Sequence, residues 1–333
     1  MTTFLSERAL HGAVRYVLGV DGGGTGTRAR LQDRTGITLG HGQAGPSALG
    51  QGVPQAWRHV EQAVARAFAD AGLPHAPPAV CALGLGLAGA GVQAQRVAFT
   101  AADPGYALCR LENDGLTQLL GAHGGAPGIV VAAGTGSVAA ALYADGRTRQ
   151  VGGWGFPVGD DGSGAWLGLQ AVRRLQATLD GRALAGALSK AVAAEAGSTA
   201  AAVLAWCAKA QAPQYAELAP LVFAVAQQGD AFAKAVLQAA ANELAVLART
   251  LDIPPQAGQA ALAVVARGSV GERLAALWPD TLRLRLRPAA GDSADGALWL
   301  VRQAMYGQAP EQASGLAADP VADPAAGLAG AAL

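Results

Sequence analysis

The chain has 333 residues, enough at about 100–200 residues per domain for two domains with a core each, which excludes a miniprotein stapled by disulfides or metal. Lys+Arg 24 against Asp+Glu 24 gives zero net charge, and with 14% of residues charged there is no basic stripe of the kind nucleic-acid binding requires. The hydrophobic share is 51%, but charged residues, Gly or Pro interrupt every stretch near spanning length, so no membrane segment is expected.

Tyr16 to Val20 reads as a short strand ending at Asp21, and Gly22-Gly23-Gly24-Thr25 turns the chain into a second strand from Thr27 to Leu31. A third extended piece is expected around Ile37 to Gly42. Apolar residues at Val53, Ala56, Trp57, Val60, Ala63, Val64, Ala67, Phe68 and Ala71 then follow helical spacing, so this helix should lie on the sheet. Val80 to Leu87 and Ala107 to Leu111 read as buried strands, with Asp114 just beyond the second.

From Ile129 the order restarts: strand to Ala133, a turn at Gly134-Thr135-Gly136-Ser137, and strand again from Val138 to Tyr143. The two glycine turns lie 112 positions apart (134 minus 22), so one supersecondary plan occurs twice. Residues 164–252 read as a helical insertion, with Phe232, Val236, Ala240, Leu244, Leu247 and Leu251 lining one face near its end. Ala261 to Val265 and Leu282 to Leu286 are strand candidates, and Asp295 to Tyr306 a helix. Residues 308–333, rich in Ala, Gly, Pro and Asp, are expected to form a mobile tail.

Cys81, Cys109 and Cys207 stand far apart, without the paired spacing of a zinc or iron–sulfur site, and their sparse, odd number suits a reducing cytoplasm. Ser6, Glu7 and Arg8 interrupt the apolar stretch that an export signal would need.

A single glycine turn after a strand is usually only a hairpin, but two of them, with hydroxyls at Thr25, Thr135 and Ser137, make a lining for polyphosphate without a basic cluster. Asp21 supplies the carboxylate that magnesium needs, directly or through water. Neither a Walker A nor a Rossmann pattern fits, because the first turn lacks the Gly-Lys-Ser/Thr ending and leads into a strand.

Val20-Asp21-Gly22-Gly23-Gly24-Thr25 together with Gly134-Thr135-Gly136-Ser137 resembles the two phosphate loops of the actin, heat-shock chaperone and sugar-kinase superfamily. Gly152-Gly153-Trp154-Gly155 and Gly159-Asp160-Asp161-Gly162-Ser163 narrow the resemblance to the N-acetylglucosamine kinase and glucosamine kinase family, which is grouped with the ATPases that activate benzoyl-CoA reductase. It covers roughly residues 14–306. It implies an α/β fold of duplicated ribonuclease-H-like (actin-like ATPase) domains with a cleft between them and a helical insertion in the second. The lobes are expected over 1–115 plus 292–307 and over 116–291.

The resemblance further implies a cytoplasmic kinase that uses ATP and Mg2+ on a small-molecule amino sugar, with room for a homodimer. Asp114, in Glu112-Asn113-Asp114-Gly115, matches the family's catalytic base; its plainer reading is a helix N-cap. Asn113, Gly153, Trp154, Gly155 and Asp160 fall at sugar-binding positions, though Trp154 could be core and Asp160 and Asp161 could cap the following helix. Asp161 stands where the family usually has Glu. Gly268 and Ser269, in Gly268-Ser269-Val270-Gly271, resemble the adenosine-binding turn, or an ordinary strand-to-helix turn. Where the acetylglucosamine kinases tend to carry Asn after the third strand this chain has Ser47, and Ala88 replaces a serine common after the fourth, so the choice of sugar stays open. Two other readings compete: an ATPase that activates a redox partner, and a catalytically silent sugar sensor, which would be expected to lack Asp114 or Asp21.

Overall fold

The computed structural model describes residues 14–252 and 261–306. The expected tail at 308–333 and the segment around Ser6 to Arg8 lie outside them. The described chain runs β1 (Tyr16–Gly22), β2 (Thr27–Asp33), β3 (Thr38–Ala44), α1 (Val53–Asp70), β4 (Cys81–Leu87), α2 (Gln93–Ala101), β5 (Leu108–Glu112), α3 (Asp114–His123), β6 (Gly128–Ala133), β7 (Ser137–Leu142) and β8 (Thr148–Gly152). There follow α4 (Gly164–Leu179), α5 (Ala187–Ala196), α6 (Ala200–Cys207), α7 (Ala212–Ala216), α8 (Ala219–Gln227), α9 (Ala231–Thr250), β9 (Ala263–Arg267), α10 (Gly268–Leu274), α11 (Asp280–Arg283) and α12 (Ser293–Tyr306).

These elements pack as two compact units. The first takes in the described residues up to Ala126, Leu142–Gln150, and those from Ala290 onward. Its sheet has the order β3-β2-β1-β4-β5, with β1 to β3 antiparallel and β4 and β5 added in parallel. Every residue of β4, CALGLGL, is buried, as an unbroken apolar run in a parallel strand requires. One face of the sheet is covered by α1, whose Ala56, Trp57, Val60, Ala63, Val64, Ala67 and Phe68 are buried at helical spacing. Trp57 stacks on Phe99 with ring centroids 4.2 Å apart and donates its indole N–H to the Phe99 carbonyl.

On the other face α12 brings Leu298, Val301 and Met305 against Val17 and Ala82. It also crosses α3 at glycine contacts: a Cβ on Gly121 would lie 1.8 Å from the Asp292 carbonyl oxygen, and one on Gly296 1.8 Å from that of Thr117. No side chain fits there. The helix that begins at Asp114 is therefore fixed in this unit, beyond the 115 boundary expected from the sequence. Gly121→Ala is expected to destabilise the protein by about 3 kcal/mol, the upper end of overpacking costs, measured by denaturant unfolding.

The second unit, Pro127–Ala141 with the described part of Val151–Ala289, repeats the plan. The sheet order β8-β7-β6-β9 matches β3-β2-β1-β4, with β6 and β9 parallel as β1 and β4 are. The fold is thus α/β with a duplicated ribonuclease-H-like sheet, and α4 to α9 form its helical segment. Helix α9 is long and apolar enough to cross a membrane by length and composition, but Ala233, Val236, Ala240, Leu244 and Ala248 are buried in this unit, as in a core helix.

One expected strand is corrected. Residues Asp280–Arg283 form α11, and of Leu282 to Leu286 only Leu286 makes a bridge, parallel to Val264. The alternating Leu-Arg pattern suggested strand period, but Leu282 is buried while Leu284 is 78% exposed, so the leucines do not share a face. An Arg283–Asp280 ion pair ties the short helix locally.

Candidate active site

In the first unit the β1/β2 hairpin presents Gly22 to Thr25. Gly23 donates its N–H to Gly26 and accepts from the N–H groups of Ser47 and Ala48, while the Gly24 and Thr25 N–H groups take no acceptor among the described residues. The loop tip thus offers free donors at an exposed glycine and an exposed threonine, the arrangement that binds phosphate oxygens. Ser47, expected to meet the sugar, is instead fully buried, its hydroxyl oxygen 2.7 Å from that of Thr27 and directly below Gly22. Ala88 also supports the loop, donating its N–H to the Gly22 carbonyl.

Asp114 opens α3, but it is not the cap. Asn113 is: its Oδ1 accepts the Leu116 N–H at 2.8 Å, and its Nδ2 has no partner among the described residues. The Asp114 carboxylate is reachable by solvent and accepts the neighbouring Gly115 N–H, at 3.1 Å. Its pKa is raised above the ordinary carboxylate value, chiefly because surrounding protein strips water from it and further because of the negative charge of Asp21. A carboxylate whose pKa is raised is a better proton acceptor than a free one.

Asp21, at the end of β1, is paired with Arg28 directly across the ladder, with Arg28 Nη2 2.5 Å from Asp21 Oδ2. Among the described residues no group of three His, Cys, Asp or Glu side chains could hold a metal by itself. A lone carboxylate beside free N–H groups fits Mg2+ carried on nucleotide phosphates, since that ion usually takes one or two carboxylates, phosphate oxygens and waters.

Two arginines escaped the sequence reading. Besides Arg28, Arg96 on α2 donates to the Ala90 and Leu111 carbonyls at 3.1 and 2.7 Å and pairs with Glu112 at 2.8 Å. It clamps the loop after β4 to the end of the strand that delivers Asn113 and Asp114. Arg96→Met should cost about 1–3 kcal/mol, the penalty for unpaired buried partners, and lower turnover through misplacement of Asp114. Denaturant unfolding and single-turnover rates would check both.

In the second unit the Gly134–Ser137 loop is built from the same parts. Gly134 donates to the Gly136 carbonyl, while the Thr135 and Gly136 N–H groups take no acceptor among the described residues. Ser137 differs from the expectation: its hydroxyl is buried and donates to the Asp161 carbonyl at 2.7 Å, so it braces the loop. The loop also meets α4, whose Gly164 N–H donates to the Gly134 carbonyl at 2.7 Å, and the Gly268 turn, where a Cβ would lie 2.4 Å from the Ala133 carbonyl oxygen. Gly268, with φ +81°, and exposed Ser269 therefore stand beside the Gly134–Ser137 loop.

Asp160 has φ +62°, and no other described non-glycine residue has positive φ. Such strain persists where surrounding structure enforces it, often at functional sites. Its carboxylate lies over Gly136, where a Cβ would come within 2.6 Å of Oδ2. Neither Asp160 nor Asp161 caps α4, because Ser163 does, accepting the Trp166 N–H. Trp154, between Gly153 and Gly155 with φ of +73° and +86°, is 77% exposed and so is not a core residue.

A duplicated fold with a glycine loop after the first strand of each copy and a carboxylate at the end of the first of those strands defines an actin-like ATPase. The chain belongs to the BadF/BadG/BcrA/BcrD ATPase family, whose model matches residues 18–278. Glucosamine kinase GspK of Vibrio cholerae is 30% identical over 286 residues, covering 86% of this chain and 95% of that relative. The N-acetylmuramic acid/N-acetylglucosamine kinase of Clostridium acetobutylicum is 28% identical over 174 residues, 51% of this chain and 56% of that relative. A solved structure from Chromobacterium violaceum, provisionally named N-acetylglucosamine kinase, is 45% identical with a TM-score of 0.77, covering 87% of this chain and 99% of that one.

Proposed function

We propose that the protein is an ATP-dependent kinase that phosphorylates the primary hydroxyl of an amino sugar, glucosamine or N-acetylglucosamine, with Asp114 as the general base. The observation that carries this reading is the Asp114 carboxylate: it is free of the capping role, raised in basicity, and held beside Asp21 and the first phosphate loop. Asp114 takes the hydroxyl proton as the sugar oxygen forms its bond to the γ-phosphorus, and the bond from that phosphorus to the β-phosphate oxygen breaks to leave ADP. Loop N–H groups at Gly24, Thr25, Thr135 and Gly136 bind phosphate oxygens, and positioning with charge neutralisation supplies most of the acceleration. Magnesium, carried on the nucleotide and held through Asp21, supplies neutralisation of the phosphate charge.

Gly268 and Ser269 are assigned to the adenosine end of the nucleotide. Asn113, through its free Nδ2, and Gly153, Trp154, Gly155 and Asp160 are assigned to the sugar. The exposed Trp154 and the strained backbone at Asp160 are what a binding role would produce. The redox-partner reading is disfavoured by the thiols. Cys81 and Cys109 sit in β4 and β5, where burial pushes both pKa values up to about 12, the setting of inert structural thiols.

A coupled ADP-release assay on glucosamine, N-acetylglucosamine, glucose and glycerol tests the assignment. An amino sugar should have the highest kcat/KM. Because Ser47 is buried and Ala88 lacks a polar group, the acetyl arm meets no side-chain donor there, and glucosamine is expected to compete closely; one missing partner is worth about 1–3 kcal/mol of discrimination. Highest efficiency with glucose or glycerol would sink the amino-sugar assignment. ADP release indifferent to any sugar would return the redox-partner ATPase to first place.

A further inference from the structure

We propose that Thr117 and Ser293 form a two-hydroxyl strut that positions Asp114 for proton transfer; this rests on the kinase reading above and adds two positioning residues to it. Thr117 stands on α3, three residues after Asp114, and is fully buried. Its Oγ1 donates to the Asp114 carbonyl at 3.2 Å and lies 2.8 Å from Oγ of Ser293, the buried first residue of α12. A carbonyl oxygen only accepts, so the single Thr117 hydroxyl proton goes to Asp114 and Ser293 donates to Thr117. The donors therefore run in one direction, from α12 through Thr117 to the backbone that carries the proposed base.

Neither hydroxyl is taken up by capping. Asn113 caps α3, and α12 starts on a reciprocal cap in which Asp292 Oδ1 accepts the Asp295 N–H at 3.1 Å and Asp295 Oδ2 the Asp292 N–H at 2.9 Å. Arg30 on β2 pairs with both aspartates, so the backbone on either side of Ser293 is held. Thr117 is held as well: a Cβ on Gly86 of β4 would lie 1.9 Å from its Oγ1 and 2.9 Å from its Cγ2, so the side chain lies against the strand. The Asp114 carboxylate must stay unencumbered to accept a proton, which leaves its backbone as the place to fix it. Misplacing a reacting group by ~1 Å costs up to about 10²-fold in rate.

Steady-state rates on the full chain, taken well below the melting temperature so that a partial loss of stability leaves the protein folded, separate positioning from plain support. Thr117→Val keeps the size of the side chain and removes the hydroxyl; kcat should fall about tenfold while KM for the nucleotide stays near wild type. Thr117→Ser keeps the hydroxyl and loses the methyl, so it should recover most of kcat although its melting temperature falls. The double variant Thr117→Val with Ser293→Ala no longer strands a buried hydroxyl, and its melting temperature should rise above that of Thr117→Val. Its kcat should stay low, because the strut is still missing.

Amide hydrogen exchange reads the same strut without turnover: in Thr117→Val the Leu116 and Thr117 N–H groups of the first α3 turn should exchange about tenfold faster. The double variant serves in place of Thr117→Val if the single one does not fold. Wild-type kcat in Thr117→Val, or kcat that recovers together with the melting temperature in the double variant, would make the pair a packing contact and overturn the proposal. Exchange at Leu116 and Thr117 that does not change would overturn it too. A wild-type protein whose ADP release does not depend on any sugar overturns the kinase reading itself, a result distinct from these because it appears before any variant is made.

Discussion

Asp114→Asn is expected to lower turnover by about 10²–10⁴-fold, the range for losing a positioned general base, while nucleotide affinity stays near wild type. The substitution is nearly isosteric, and the α3 cap is untouched because Asn113 makes it. Stability should not fall either. A carboxyl whose pKa is raised in the folded protein favours folding most at pH below its unfolded value and loses that contribution as pH rises through the folded one, so above that folded value the charged Asp114 carboxylate is a cost to the fold. Removing the charge should leave the melting temperature at neutral pH equal or higher. In the wild type, kcat/KM should fall on the acid side with an apparent pKa above the ordinary carboxylate range, and this limb should be missing from the residual activity of the variant. A folded Asp114→Asn protein with near-normal turnover would remove Asp114 from the mechanism and leave the phosphate loops standing.

How far the sequence discloses this site depends on whether the signal is local. The β1/β2 hairpin and α1 are legible because strand runs, glycine punctuation and helical spacing are short-range patterns, and they recur in the second unit. Helix α2 is not: in QAQRVAFTA only Phe99 is buried, so there is no apolar stripe to read. The Leu282 to Leu286 segment misleads for the opposite reason, since its alternation mimics a strand although its leucines do not share a face. At Asn113-Asp114 either residue could cap a helix, and hydrogen bonding is needed to separate cap from base. Ser47 lies in a recognisable loop, but its burial under Gly22 follows from how β3 returns beneath the hairpin. Arg96 is invisible in sequence because its partner Glu112 is 16 residues away on another element.

Asp21→Asn separates the phosphate role from the proton role. The change removes the carboxylate that Mg2+ would use and should weaken Mg2+-ADP binding by about 10–100-fold, the usual loss when an outer partner of a metal is removed, whereas ADP in EDTA should bind nearly as before. Turnover should fall as well, since neutralisation of the phosphate charge is lost. A second consequence runs through Asp114. The negative charge of Asp21 is one of the causes that raise the Asp114 pKa, so its removal should move the acid limb of the pH–rate profile downward. The limb should remain above the ordinary carboxylate value, because loss of hydration is the larger cause and is unchanged. Asp114→Asn thus abolishes the limb with nucleotide affinity intact, while Asp21→Asn shifts it and weakens the nucleotide. If Asp21→Asn bound Mg2+-ADP like the wild type with an unmoved acid limb, Asp21 would be a partner for Arg28 alone, and the metal assignment would fail.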